Sequence, residues 1–153
     1  MYKVETYLDE GNMPYIVREQ LAYATDIRQI YNDADKIYGL CKEMRMTERA
    51  TEMCVMLVFD SAGHAIAMRE LSTGSVDRSV MSPREIAMTM LLTGGVACVL
   101  VHNHPSGEVE PSDIDIMTTK GIKEGLEMLG LTLWDHIVVG RYGYTSMAER
   151  GLF

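Results

Sequence analysis

The stretch MSPREIAMTMLLTGGVACVLV, from Met81 to Val101, decides the fold. Ser82 stands where a helix N-cap belongs, Pro83 suits the first helical position, and Glu85 sits where a capping-box partner would reach back. Gly94 and Gly95 then stop the helix. VACVLV follows as an unbroken apolar run, the pattern of a strand covered on both faces. A helix running straight into a buried strand points to a sheet with helices packed against it.

Reading outward, EMCVMLVFD (Glu52 to Asp60) is a second buried strand, SAGH turns the chain, and AIAMREL reads as its hairpin partner. Ile27, Ile30, Tyr31, Ala34, Ile37, Tyr38 and Cys41 recur at three- and four-residue steps and predict an amphipathic helix from Asp26 to Met44. PYIVRE reads as a short strand within an N-terminal segment, residues 1–24, that can supply an edge strand. Downstream, Ser112 begins another capping-box pattern, and Ile114, Met117, Ile122, Leu126 and Leu129 trace one face of a helix closed by Gly130. LTLWDHIVVG is a further strand and RYGYTSMAERGLF a hairpin-like tail. The sum is a single α/β (α+β) domain over residues 25–153, with no internal repeat or linker.

The 153 residues suffice for one domain with a real core. No run approaches the roughly 18 apolar residues of a membrane-spanning helix, and the first residues do not read as a signal peptide. The three cysteines, Cys41, Cys54 and Cys98, are dispersed, and two lie in apolar runs. They read as buried thiols in a reducing cytoplasm. A net charge of -8 with scattered Lys and Arg argues against direct nucleic-acid binding, which needs concentrated positive charge. Methionines such as Met88 and Met117 read as core filler.

The chemistry gathers in VHNHPSGEVEPSDID, from Val101 to Asp115, which holds two of the four histidines. Alternate residues of an extended segment point the same way, so His102 and His104 at the end of a strand can face one point. Asp115, in the first turn of the next helix, can fold back to them across a loop fixed by Pro105, Gly107 and Pro111. Two imidazoles and a carboxylate are suitable zinc ligands, and three protein ligands leave a fourth position open. The same residues also admit a plainer reading: H-x-H occurs on surfaces, and Asp115 suits a helix N-terminus on electrostatic grounds alone. His136, beside Asp135, reads either as a support behind the metal or as a hydrogen-bonded core histidine. Asn103 and Ser106 read as local loop stabilisers, and His64 as a surface turn.

HNHPSGEVEPSDID resembles the H-x-H-x7-S-x-x-D motif of JAMM (MPN+) zinc metalloproteases, specifically the RadC-like branch. SPREIAMTMLLTGGVACVLVHNHPSG, WDHIVVG and YTSMAERGL resemble further segments of that branch, so the likeness runs from about Thr25 to Phe153. It implies a JAMM/MPN-like, cytidine-deaminase-like fold with a curved mixed sheet flanked by helices. It also implies one Zn2+ per chain held by His102, His104 and Asp115. Ser112 matches the serine that stabilises the oxyanion. Glu52 matches the glutamate that takes a proton from the zinc-bound water, with Glu70 and Glu85 as rivals for that role. The helix–hairpin–helix region of longer RadC proteins is not seen, so the chain resembles the stand-alone catalytic-type domain.

The resemblance thus implies a metallopeptidase or isopeptidase acting on a peptide or protein. Alternatives are a DNA-repair or mobile-element accessory protein working through a partner, and a non-catalytic scaffold stabilised by zinc.

Overall fold

The computed structural model describes residues 1–20, 33–73 and 81–153. Seven strands form one mixed sheet. In chain order they are β1 (Tyr2–Leu8), β2 (Pro14–Gln20), β3 (Met53–Phe59), β4 (Ala65–Thr73), β5 (Ala97–Asn103), β6 (Thr132–Val139) and β7 (Tyr144–Ser146). Their order across the sheet is β2-β1-β4-β3-β5-β6-β7. The hairpins β1–β2, β3–β4 and β6–β7 are antiparallel, β3 also runs antiparallel to β5, and β5 runs parallel to β6. β1 joins β4 in parallel through only Tyr2↔Ala67 and Lys3↔Met68.

Among the described residues, three α-helices cover the sheet: α1 (Ala34–Glu43), α2 (Pro83–Thr93) and α3 (Asp113–Glu127). β3 and β5 are buried along their whole length, as their unbroken apolar runs require. On one face, Met53, Val55, Leu57 and Phe59 of β3 pack with Ile37, Leu40 and Cys41 of α1. On the other, Met56 and Val58 pack with Ile86 and Met90 of α2 and with Ile122 and Leu126 of α3. The result is a three-layer α/β domain. Burial pushes the Cys41 and Cys98 thiols up to about 12 and the Cys54 thiol higher still, so none is a ready nucleophile.

Four expectations need correction or placing. The first half of the helix expected from Asp26, with Ile27, Ile30 and Tyr31, lies outside the described residues. α2 starts and stops as its sequence demands, with Gly94 in the left-handed region at φ 76°, but Ser82 makes no side-chain cap. The Glu85 carboxylate turns instead towards the Arg69 guanidinium, 4.0 Å away. α3 buries Asp115, Thr119, Ile122 and Leu126, while Ile114, Met117 and Leu129 are exposed. Two positions of its buried stripe are polar, so apolar spacing alone sets the wrong phase. Met117 is therefore surface rather than core filler, and Met88 is only half-buried. No helix among the described residues is long and apolar enough to cross a membrane.

Candidate metal centre

β5 delivers His102 at its C-terminal end, where cross-strand pairing with β3 stops at Cys54↔His102. The chain leaves the sheet at His104, passes through the loop of residues 105–111 and enters α3, whose N-cap is Ser112. Ser112 and Asp115 form a reciprocal capping box. The Asp115 amide donates to Ser112 Oγ at 3.2 Å, and Asp115 Oδ2 accepts from the Ser112 amide at 2.8 Å and from its hydroxyl at 2.6 Å. This pins the carboxylate while leaving Oδ1 turned towards His102.

The donors converge. His102 Nε2 and His104 Nε2 are 3.0 Å apart, His102 Nε2 lies 3.5 Å from Asp115 Oδ1, and His104 Nε2 lies 3.5 Å from Asp115 Oδ2. Ligands bound tetrahedrally at roughly 2.0–2.2 Å stand roughly 3.3–3.6 Å from one another; each imidazole meets that spacing with one carboxylate oxygen, and one ligand atom from each of the three residues lies within 4.8 Å of the others. His104 Nδ1 lies 3.2 Å from the Glu108 carbonyl, which can only accept, so the neutral ring keeps its proton there and frees Nε2. Among the described residues, this His-His-Asp group is the cluster of three or more such side chains close enough to share an ion.

The charges respond to one another. Burial works to raise the Asp115 carboxyl, but the two imidazoles 3.5 Å away and the Ser112 hydroxyl hold it far below the usual carboxylate range. The hydrogen bond to Asp115 raises His104 above its ordinary value despite partial burial. Glu52 is raised chiefly by burial, with both imidazoles pulling it back and Asp115 pushing it up.

Glu52 therefore stands near all three donors without joining their cluster. It precedes β3, and by strand alternation it shares the sheet face of Cys54 and His102. Glu70 pairs with Val55 and faces the α1 side, away from His102. Glu85 sits at the start of α2 beside Arg69. Asn103 fixes the Glu52 segment from both sides: its Oδ1 accepts the Met53 amide at 2.8 Å, and its Nδ2 donates to the Thr51 carbonyl at 3.3 Å. It is thus a long-range brace, where its neighbours in sequence suggested only a local one.

His136 and Asp135 part company. As neighbours on a strand they face opposite ways, and the pairing past a register shift between Cys98 and Val99, Val99 with Asp135 and Leu100 with His136, turns His136 to the face of His102. His136 lies fully buried behind the donors, its Nε2 2.8 Å from His102 Nδ1 and its Nδ1 2.6 Å from Thr119 Oγ1. The ring is fully buried and its two nitrogens meet only His102 and Thr119, with no carboxylate to hold a charge, so it is neutral; burial sets it well below the usual imidazole range. Asp135 instead binds the tail, accepting from Ser146 Oγ at 2.6 Å and the Ala148 amide at 2.9 Å. Thr119 was not singled out by sequence. Its signal was there, a hydroxyl one helical turn after Asp115 on the same face.

The loop is held from outside as well. A Cβ at Gly140, just past β6, would collide with the Gly107 carbonyl and stand 2.8 Å from Val109 Cγ1. Arg150 from the tail grips Glu110 through two bonds of 2.7 and 2.9 Å.

Comparison with known proteins agrees with this architecture. A family model described as RadC-like JAB domain matches residues 31–152. A UPF0758 protein of Thermotoga maritima is 37% identical over 116 residues, covering 76% of this chain and 51% of its own. A UPF0758 protein of Xanthomonas oryzae pv. oryzae is 41% identical over 107 residues, covering 70% and 48%. One from Methanosarcina acetivorans is 36% identical over 107 residues, covering 70% and 47%. The chain thus spans about half the length of the curated relatives it matches. Matched by that model over most of its length and carrying a mixed sheet with the His-His-Asp cluster at the end of β5, the chain belongs to the RadC-like JAB domain family.

Proposed function

We propose that this chain is a zinc-dependent hydrolase of amide bonds, a peptidase or isopeptidase acting on a peptide or protein. The observation that carries the reading is the convergence of His102 Nε2, His104 Nε2 and the Asp115 carboxylate at 3.0–3.5 Å. These three would hold one Zn2+ per chain, a donor set of two imidazoles and one carboxylate that suits zinc and leaves a position uncommitted. When bound, zinc acts as a Lewis acid on a carbonyl and lowers the pKa of water from ~15.7 towards ~7.

The chain's own residues supply the rest. Glu52, its carboxyl raised by burial, is a stronger base than a solvated glutamate and would take the proton of the attacking water. The water oxygen bonds to the carbonyl carbon, the C–N bond breaks, and Glu52 returns the proton to the leaving amine. Ser112 first orients Asp115; donating to the developing oxyanion requires its hydroxyl to rotate away from Asp115 Oδ2.

The test pairs metal quantification with hydrolysis of fluorogenic peptides in linear and lysine-isopeptide linkage. Wild type should carry about one zinc per chain and His102→Ala should lose it. Glu52→Gln should keep zinc while losing roughly 10²–10⁴ in turnover. Undiminished hydrolysis by Glu52→Gln would reassign the base, and wild type unable to take up zinc would end the reading.

A further inference from the structure

Behind the donor cluster runs one unbroken line of hydrogen bonds, from His102 Nδ1 to His136 Nε2 (2.8 Å), from His136 Nδ1 to Thr119 Oγ1 (2.6 Å) and from Thr119 Oγ1 to the Asp115 carbonyl (2.6 Å). It connects two of the three candidate ligands. His102, His136 and Thr119 are fully buried and Asp115 nearly so, which keeps water from substituting for any member.

The placement of every proton follows from the two ends. The Asp115 carbonyl can only accept, so the Thr119 hydroxyl donates to it and has only lone pairs left for His136. A neutral His136 must then carry its proton on Nδ1, which makes its Nε2 an acceptor. His102 accordingly carries its own proton on Nδ1, and its Nε2 presents a bare lone pair to His104 Nε2 and Asp115. The opposite order would put a proton on His102 Nε2, at the spot where a metal must bind.

We propose that Thr119, acting through His136, is a positioning residue that locks His102 in the tautomer able to ligate a metal, and so sets the affinity of the centre. This rests on the metal reading above. A threonine hydroxyl bonded to the carbonyl four residues back is common in helices and by itself stabilises little. The difference lies in the second bond, to an imidazole that has no other acceptor for Nδ1 among the described residues.

Thr119→Val keeps the shape and removes the hydroxyl. The His136 proton then has no acceptor at Nδ1 and moves to Nε2, which drives the His102 proton onto the ligating nitrogen. Zn2+ affinity, measured on metal-free protein by competition with a chromophoric chelator, should fall by about 10–100-fold, while Thr119→Ser restores it to within about threefold of wild type. Long-range 1H–15N spectra of zinc-loaded wild type supply a readout that does not depend on how the variants fold. His136 should be protonated at Nδ1, and His102 should be protonated at Nδ1 with Nε2 bound to metal. Unchanged affinity in Thr119→Val, or a His136 proton found on Nε2, would overturn the tautomer lock alone. Failure of wild type to bind Zn2+ would overturn the metal reading and this inference with it.

Discussion

Replacing Asn103 by leucine isolates what one buried side-chain amide contributes at the end of a sheet. The β3–β5 ladder stops at Cys54↔His102, because the strands must part there for the ligand loop to leave. Beyond that point the Asn103 amide stands in for a peptide group, accepting from the Met53 amide at 2.8 Å and donating to the Thr51 carbonyl at 3.3 Å. Leucine has similar bulk and neither polar atom. Met53 is 4% exposed, so its N–H would be left without an acceptor, a loss of about 1–3 kcal/mol. Thr51 is exposed, and water can replace the longer bond there at little cost. A loss near 2 kcal/mol, at about 2–4 °C per kcal/mol for a domain of this size, lowers Tm by about 4–8 °C. The assay is thermal unfolding with chelator present, since bound metal would mask the change by mass action. Asn103→Asp keeps the acceptor but sets a carboxylate against the Thr51 carbonyl and close to Glu52, so its deficit should be larger at neutral pH than in mild acid. A leucine variant melting within about 1 °C of wild type would show that Met53 finds another partner, and the bracing role would fall.

Two further perturbations probe the same region. The hydrogen bond to Asp115 raises His104 above 6.5 in metal-free protein, so the stability its charge contributes is present below that value and lost as pH rises through the raised one. The melting advantage of metal-free wild type over His104→Ala should shrink as pH rises from 6.5 through the raised value, while wild-type Zn2+ affinity rises over the same interval because zinc needs the neutral ring; an advantage that grows with pH would contradict the assignment. Gly140→Ala should push the loop at Gly107 and Val109 outward, costing about 1–3 kcal/mol of stability and weakening Zn2+ binding; melting and affinity both unchanged would show that the close approach matters little.

Much of this was legible in the sequence wherever a residue's role was local. The stop at Gly94, the buried runs of β3 and β5, and the capping pattern from Ser112 to Asp115 each depend on neighbours within a few positions, and each stands in the structure. The H-x-H spacing likewise suffices to place His102 and His104 together. Long-range partnerships were not legible. The Asn103 brace spans about fifty positions to Met53, and nothing near Asn103 announces it. Ser82 had every local sign of a capping-box residue, yet a distant guanidinium on β4 drew Glu85 away.

The same distinction explains the phase error in α3 and why His136 rather than Asp135 faces the donors. A buried stripe is recognised by apolar spacing, but near a metal-ligand cluster the buried positions must themselves be polar, as Asp115 and Thr119 are. A strand's faces are assigned by alternation, but the register shift after Cys98 leaves Trp134 extra and resets which residues look towards α3. In both places the irregularity delivers a polar group to the donors: Thr119 by occupying an apolar stripe, His136 by the resetting of β6. Asp115 shows why the plain and the chemical readings need not compete. One carboxylate oxygen closes the helix cap with Ser112, and that bond orients the other towards His102. The capping bonds thus hold the candidate ligand in place before any ion arrives.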